Sequence, residues 1–200
     1  MNYEDNTMDH IDHFLDVASK IVTNISSQEI SIIVELLVDV KEMGGRVFVL
    51  GVGGSAGNAS HMVNDLRKLC GVEAYAPTDN VSEYSARVND DGADTVFVEY
   101  LKTSNLTSRD CVFVLSVGGG SIERNISVCL IKAIEYARSK DSICLSIVGK
   151  KDGYAALNTT SIVIPELDTN LVTPLSEAFQ AIVWHCIVSD PALQCRKTTW

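Results

Sequence analysis

No run of this sequence is apolar for long enough to span a bilayer, which takes about 20 consecutive residues. Residues 1–10 are polar and acidic, unlike the basic-then-apolar start of a secretory signal. Basic residues are in short supply: 16 Lys and Arg stand against 26 Asp and Glu, a net charge of −10. Gripping nucleic acid or an anionic membrane surface needs a basic face, so neither partner is expected. A small anionic substrate is not excluded, because a few oriented backbone N–H groups bind phosphate even in an acidic protein. Cys-x-x-Cys pairs are missing too. Cys70, Cys111, Cys129, Cys144, Cys186 and Cys195 are scattered, and Cys111, Cys129 and Cys144 lie in apolar runs, as buried free thiols do. That pattern suits a reducing, cytoplasmic setting. No low-complexity segment, repeat or linker divides the chain.

What is present is a sequence of 200 residues, 46% hydrophobic and 21% charged. It is long enough to bury one substantial core, and a single domain over residues 1–200 is expected. The first forty or so residues predict two helices. Ile11, Phe14, Leu15, Ala18, Ile21 and Val22 have helical spacing, as do Ile30, Ile33, Val34, Leu37 and Val40, with Ser26 or Ser27 as N-cap between them and Gly44-Gly45 as the stop.

Beyond them, short continuous apolar runs alternate with helical patterns. Strands are predicted at residues 46–50, 73–76, 111–116, 142–148 and 161–165. Helices are predicted at about 56–69, 80–89, 94–101, 121–139 and 174–189. Continuous apolar strands alternating with helices predict a mainly parallel sheet covered on both faces, with the ligand site at the strands' carboxyl ends.

Two of those ends carry glycine. Gly51-Val52-Gly53-Gly54-Ser55 joins a strand to a helix, where glycine lets the backbone approach a ligand and the helix start offers free N–H groups. Ser116-Val117-Gly118-Gly119-Gly120-Ser121 repeats the arrangement. Neither has the lysine of a P-loop or the full spacing of a dinucleotide fingerprint. A single such loop reads equally well as a tight turn; two in one sheet are more specific. His61 and Asp65, four residues apart, share a helical face, and Glu177 and His185 lie roughly on one face of the last helix. The four suit a divalent metal or acid/base chemistry, although a His–Asp pair at this spacing is more often a surface contact. Phe179 and Trp184 read as core, His10 and His13 as solvated face. Pro77-Thr78-Asp79-Asn80 and Asn89-Asp90-Asp91-Gly92 read as turns.

The stretch Gly51-Val-Gly-Gly-Ser-Ala-Gly-Asn-Ala-Ser-His61, with Asp65 after it, resembles the opening motif of the SIS-domain phosphoheptose (sedoheptulose 7-phosphate) isomerases. The resemblance runs on through Thr78-Asp79, Asn89-Asp90, the second glycine loop and the Glu177…Gln180…His185 helix, and so covers nearly the whole chain. It implies a three-layer SIS-type α/β fold with a five-stranded, mainly parallel sheet flanked by helices. It implies a homotetramer with active sites between subunits, built partly on the leading helical pair of residues 1–45. It also implies interconversion of ketose and aldose phosphates, with one zinc ion per subunit.

By that resemblance His61, Asp65, Glu177 and His185 fall on the metal ligands, and Asp65 and His185 on the acid/base pair. Ser55, Ser116 and Ser121, with Gly53, Gly54 and Gly118, Gly119 and Gly120, fall on the phosphate loops, and Asp90 on a substrate-contacting aspartate. Departures mark a divergent branch. Val52 replaces asparagine, Val117, Gly118 and Gly120 replace polar residues, Asp65 is one methylene shorter than glutamate, and Gln180 stands where histidine is frequent. The implied chemistry is proton transfer through an enediol. The competing expectation is a non-catalytic SIS module that binds a sugar phosphate and regulates a partner; it would need the loops but not His61, Asp65 or His185.

Overall fold

The computed structural model describes the backbone of residues 3–198 and the side chains of residues 9–198. Two helices lead, α1 (Tyr3–Asn24) and α2 (Ser27–Glu42). The second opens on Ser26, whose hydroxyl accepts the N–H of Glu29 at 3.2 Å, a side-chain cap for one of the four free donors at a helix start. Five strands follow: β1 (Arg46–Gly51), β2 (Glu73–Tyr75), β3 (Cys111–Ser116), β4 (Ile143–Val148) and β5 (Thr160–Val163). Between and after them come α3 (Gly54–Lys68), α4 (Val81–Asp90), α5 (Val96–Thr103), α6 (Val128–Ser139), α7 (Tyr154–Asn158) and α8 (Val172–Val188).

The strands form one sheet in the order β2-β1-β3-β4-β5, and every pairing is parallel. Successive side chains of a strand point to opposite faces. Val47, Val49, Cys111, Phe113 and Leu115 therefore join a core under α2, α3 and α8, while Phe48, Leu50, Val112 and Val114 join a second core under α5 and α6. Both faces are buried, as the unbroken apolar runs predict. The chain leaves β1 toward one edge and β3 toward the other, so the order reverses between these two strands. A doubly wound sheet binds its ligand at that point, and both glycine loops hang from it.

Arg46, at the start of β1, anchors the opposite end of the sheet. Its Nε donates to Asp110 Oδ1 at 3.0 Å and its Nη2 to Asp110 Oδ2 at 2.8 Å. Asp110 also accepts the N–H groups of Arg46 and Thr107. Burial alone would raise the Asp110 pKa, but these donors outweigh it and hold the carboxyl below the usual carboxylate range.

Three expectations need correcting in detail. The helix predicted at 121–139 begins only at Val128. Residues 121–126 form a tight hairpin closed by an antiparallel bridge between Ser121 and Ile126. Asn125 and Ser127 have φ of 52° and 50°, the left-handed region that a continuing helix cannot use. The apolar pair Ile122 and Ile126 mimics helical spacing but is exposed. His13, expected to be merely solvated, pairs with Asp168 Oδ2 at 2.7 Å and ties α1 to the segment ahead of α8. Cys129 and Cys144 are half-buried rather than fully buried; Cys70 and Cys111 are buried, and all six cysteines are free. Among the described residues no single helix is long and apolar enough to cross a membrane.

Candidate active site

The loop after β1 turns sharply into α3. Gly53, the N-cap, has φ 63° and ψ −128°, a combination closed to side-chain-bearing residues for practical purposes. Gly54 leaves room for a neighbour: a Cβ there would meet the Glu177 carboxylate from α8, and any larger residue would have to push that side chain aside. That carboxylate sits against the positive start of α3. Ser55 follows, 1% exposed, and its hydroxyl has no partner among the described residues.

The second loop is tied down by its carbonyls. Gly119 and Gly120 accept the N–H groups of Ala155 and Tyr154 at 2.9 and 3.0 Å, at the start of α7. Ser116 Oγ accepts the Gly119 N–H at 3.0 Å, and Ser121 Oγ accepts that of Arg124 at 3.3 Å. The Gly119 N–H, expected to face an anion, is thus engaged internally. The N–H groups of Gly118 and Gly120 have no acceptor among the described residues.

Two helices, α3 and α8, pack side by side after the first loop. Along α3, His61 and Asp65 are one turn apart, and the amphipathic spacing that buries Met62 and Leu66 in the core leaves His61 at the surface. From α8 comes His185. His61 Nε2 lies 3.8 Å and His185 Nε2 4.0 Å from the same atom, Asp65 Oδ2. One donor atom from each of the three falls within 4.8 Å of the others. Asp65 is 9% exposed, while about half of each imidazole is open, with side-chain exposures of 57% for His61 and 50% for His185. His185 Nδ1 lies 2.7 Å from the Ala181 carbonyl. A carbonyl can only accept, so Nδ1 carries a proton and Nε2 is the nitrogen that faces Asp65.

The helices are pinned together next to this group. Asn58 Nδ2 donates to the Glu177 carbonyl at 2.9 Å and to Gln180 Oε1 at 3.1 Å. Gln180 is fully buried, and its Nε2 has no partner among the described residues.

Tetrahedral zinc, with ligand bonds of about 2.0–2.2 Å to nitrogen and oxygen, needs donors roughly 3.3 Å apart. Two imidazole nitrogens at 3.8 and 4.0 Å from one carboxylate oxygen are close to that, and the Nδ1–carbonyl bond of His185 is the outer support that metal-binding histidines ordinarily have. The residues therefore fit a divalent metal with three protein donors and an open fourth position. Glu177 stands outside this group, over Gly54. Asp90 lies elsewhere again, exposed at the end of α4 and accepting from Asn89 Nδ2 at 2.7 Å. Trp184 and Asn58, which touch the site residues, carried no recognisable signal: an indole among apolar residues reads as core, and an asparagine inside a helix reads as surface.

Comparison with known proteins places the chain in a family. Residues 10–149 match the SIS domain family. The lincomycin biosynthesis protein LmbN of Streptomyces lincolnensis is 26% identical over 200 residues, 96% of this chain and 72% of that protein. The phosphoheptose isomerase of Helicobacter pylori (strain ATCC 700392 / 26695) is 27% identical over 160 residues, 77% of this chain and 80% of that protein. A phosphoheptose isomerase from Francisella tularensis has the same fold, with a TM-score of 0.77 at 20% identity over 94% of this chain and 97% of the other. With the match spanning both glycine loops and the first histidine-bearing helix, this chain belongs to the SIS domain family, and phosphoheptose isomerases are what it is similar to in sequence and in fold.

Proposed function

We propose that the protein is an aldose–ketose isomerase acting on a phosphorylated sugar, with sedoheptulose 7-phosphate as the first substrate to test. The observation that carries this reading is the convergence of His61, Asp65 and His185 from two helices, one of which, α3, starts at the glycine loop on the sheet's switch point. A module that only binds and regulates needs the loops; it has no use for three proton-handling groups drawn together from two helices.

The phosphate would sit between the two loops, where the buried Ser55 hydroxyl and the N–H groups of Gly118 and Gly120 lack partners within the chain. The sugar's carbonyl end would then reach the histidines. His185 Nε2, with its lone pair free, takes the proton from the carbon beside the carbonyl. The C–H electron pair becomes the enediol double bond, and the carbonyl oxygen gains a proton. Asp65, close to both imidazoles, serves as the partner that holds and returns protons. His185 then gives its proton to the former carbonyl carbon while the neighbouring hydroxyl gives its proton to Asp65 and becomes the new carbonyl, which restores the proton Asp65 lent to the first oxygen and completes the exchange of ketose for aldose. Zinc, if held by His61, Asp65 and His185, would instead polarise the carbonyl; it would occupy the His185 Nε2 lone pair, so the metal-holding and proton-taking roles of His185 are alternatives.

Subunit assembly is part of the reading. The apolar face of α2 is used within the subunit, with Ile33, Leu37 and Val40 fully buried. On α1, by contrast, Ile11, Leu15 and Val22 remain 45%, 61% and 59% exposed. This unburied stripe supports an oligomer, with a tetramer as the expected form, assembled through α1 rather than through both leading helices equally. Free cysteines throughout support a reducing, cytoplasmic location.

The test is incubation with sedoheptulose 7-phosphate, following aldose formation with and without a chelator. Isomerisation also leaves a mark in heavy water, as deuterium at the carbon that receives the returned proton. Absence of both aldose and exchange across several ketose phosphates would overturn the isomerase reading for those substrates. Activity that survives chelation would assign proton transfer to metal-free Asp65 and His185.

A further inference from the structure

Trp184 lies against both histidines. Its indole stacks on the imidazole of His185, with ring centroids 3.6 Å apart and planes 26° from parallel. The same indole meets the imidazole of His61 at 4.7 Å and 64°. The two imidazoles themselves stand 5.2 Å apart and nearly perpendicular, at 89°. One side chain therefore touches both histidines, which arrive from different helices.

The indole is fully buried, and its N–H has no hydrogen-bond partner among the described residues. A buried donor without an acceptor is unfavourable, and most indoles in protein interiors find a partner. Phenylalanine would fill core space at this position without that penalty. What phenylalanine lacks is breadth: a six-membered ring cannot lie against one imidazole and reach the second as a fused bicycle does. The imidazoles need such a wall. About half of each is open to water, and an open side chain samples several rotamers. His185 has one further anchor, the Ala181 carbonyl, whereas among the described residues the polar neighbour of His61 is the Asp65 carboxylate at 3.8 Å.

We propose that Trp184 is a positioning residue: its indole holds the His61 and His185 imidazoles so that both Nε2 atoms face Asp65 Oδ2. The inference rests on the reading of these three residues as the reactive and metal-holding group. It adds that their geometry is set by a side chain that touches neither the substrate's phosphate loops nor Asp65 through any polar bond.

The experiment compares full-length wild type, Trp184→Phe and Trp184→Leu, each with its thermal midpoint measured. Nuclear Overhauser contacts between the His61 and His185 ring protons report the geometry without metal or substrate. They should be present in wild type, weaker in Trp184→Phe and lost in Trp184→Leu. Zinc alone, titrated against a competing chelator, should bind about 10- to 100-fold more weakly to Trp184→Leu, the usual loss when a support of a metal ligand is removed. Tryptophan emission should respond to zinc in wild type, and the response should vanish in Trp184→Phe, where Trp200 is the remaining indole. With sugar phosphate, kcat should fall while KM stays within about threefold, since the phosphate loops are untouched.

A filler role predicts the opposite pattern: a lower thermal midpoint with inter-ring contacts and zinc affinity unchanged. That result in either variant overturns the proposal, and Trp184→Phe decides the matter if Trp184→Leu does not fold. The underlying reading fails separately. If wild type neither binds zinc nor turns over any sugar phosphate while the ring contacts still depend on Trp184, the positioning role stands and the reactive-group reading falls.

Discussion

The side-chain amide of Asn58 reaches across from α3 to α8 and donates to Gln180 Oε1 at 3.1 Å. This bond joins the two helices that supply His61, Asp65 and His185, one turn before His61 and just over one turn before His185. Asn58→Ala leaves the buried Gln180 amide with neither end paired. Loss of about 1–3 kcal/mol in stability is expected, the ordinary cost of stranding a buried polar group. Urea unfolding of the variant against wild type measures it, and an unchanged midpoint would show that the bond contributes nothing.

Replacing the proton-handling groups should separate chemistry from binding. His185→Ala should lower kcat by about 100-fold or more, the contribution of one general acid/base group. Sugar-phosphate binding, read by calorimetry, should persist. Asp65→Asn should lose activity comparably. If Asp65 acts by holding metal, that loss will come with reduced zinc content and partial rescue by added zinc.

Acid sensitivity should trace to Asp110. Its folded pKa lies below the unfolded value of about 3.9, so its contribution is complete above that value and lost as pH falls through the lower, folded pKa. Asp110→Asn removes the charge partner of the three-quarters-buried Arg46 side chain. A loss of about 3–5 kcal/mol at neutral pH is expected, as when one member of a buried ion pair is removed. The difference between variant and wild type should shrink below about pH 4, where wild type forfeits the same interaction. Denaturant midpoints at pH 7 and pH 3 test both parts.

Gly53 tests the backbone of the first loop alone. Nothing lies within 4 Å of where its Cβ would go, so Gly53→Ala introduces no clash. The change forces a side-chain-bearing residue to keep φ 63° and ψ −128°, at about 1–3 kcal/mol of strain. A lowered thermal midpoint together with weaker phosphate-sugar binding is expected. Full retention of both would mean that the loop relaxes freely.

The exposed stripe of α1 gives a direct test of assembly. Leu15→Glu places a charge in the middle of the Ile11–Leu15–Val22 row without touching the buried Val17 and Ile21. Light scattering should show a smaller species than wild type at equal concentration. A wild type that is monomeric at all concentrations would remove the basis for the test and for the oligomer.

How much of this was legible in the sequence follows from the physics of each element. Residues 46–50 and 111–116 declared themselves as strands because both faces of the sheet are covered, which leaves no polar alternation to confuse with a helix. The His61–Asp65 pair was legible as neighbours one helical turn apart. Its meeting with His185 was not, since no local spacing says how two helices separated by more than a hundred residues will cross; the family resemblance supplied that. The tie between His13 and Asp168 spans 155 residues and was invisible for the same reason. α7, with five residues, is too short to show a period. The hairpin after the second glycine loop was misread because Ile122 and Ile126 have helical spacing, while left-handed Asn125 and Ser127 announce themselves only in coordinates.

That hairpin has an engineering consequence. Its ends are fastened to each other by the Ser121–Ile126 bridge, so the residues between them form a cassette with adjacent attachment points, provided position 125 keeps a residue such as Asn or Gly that accepts a left-handed backbone. It follows the second glycine loop directly and lies apart from the histidine-bearing helices. A combinatorial library confined to positions 122–125 would therefore vary the rim next to that loop while the sheet, the bridge and the proton-handling residues remain a constant chassis.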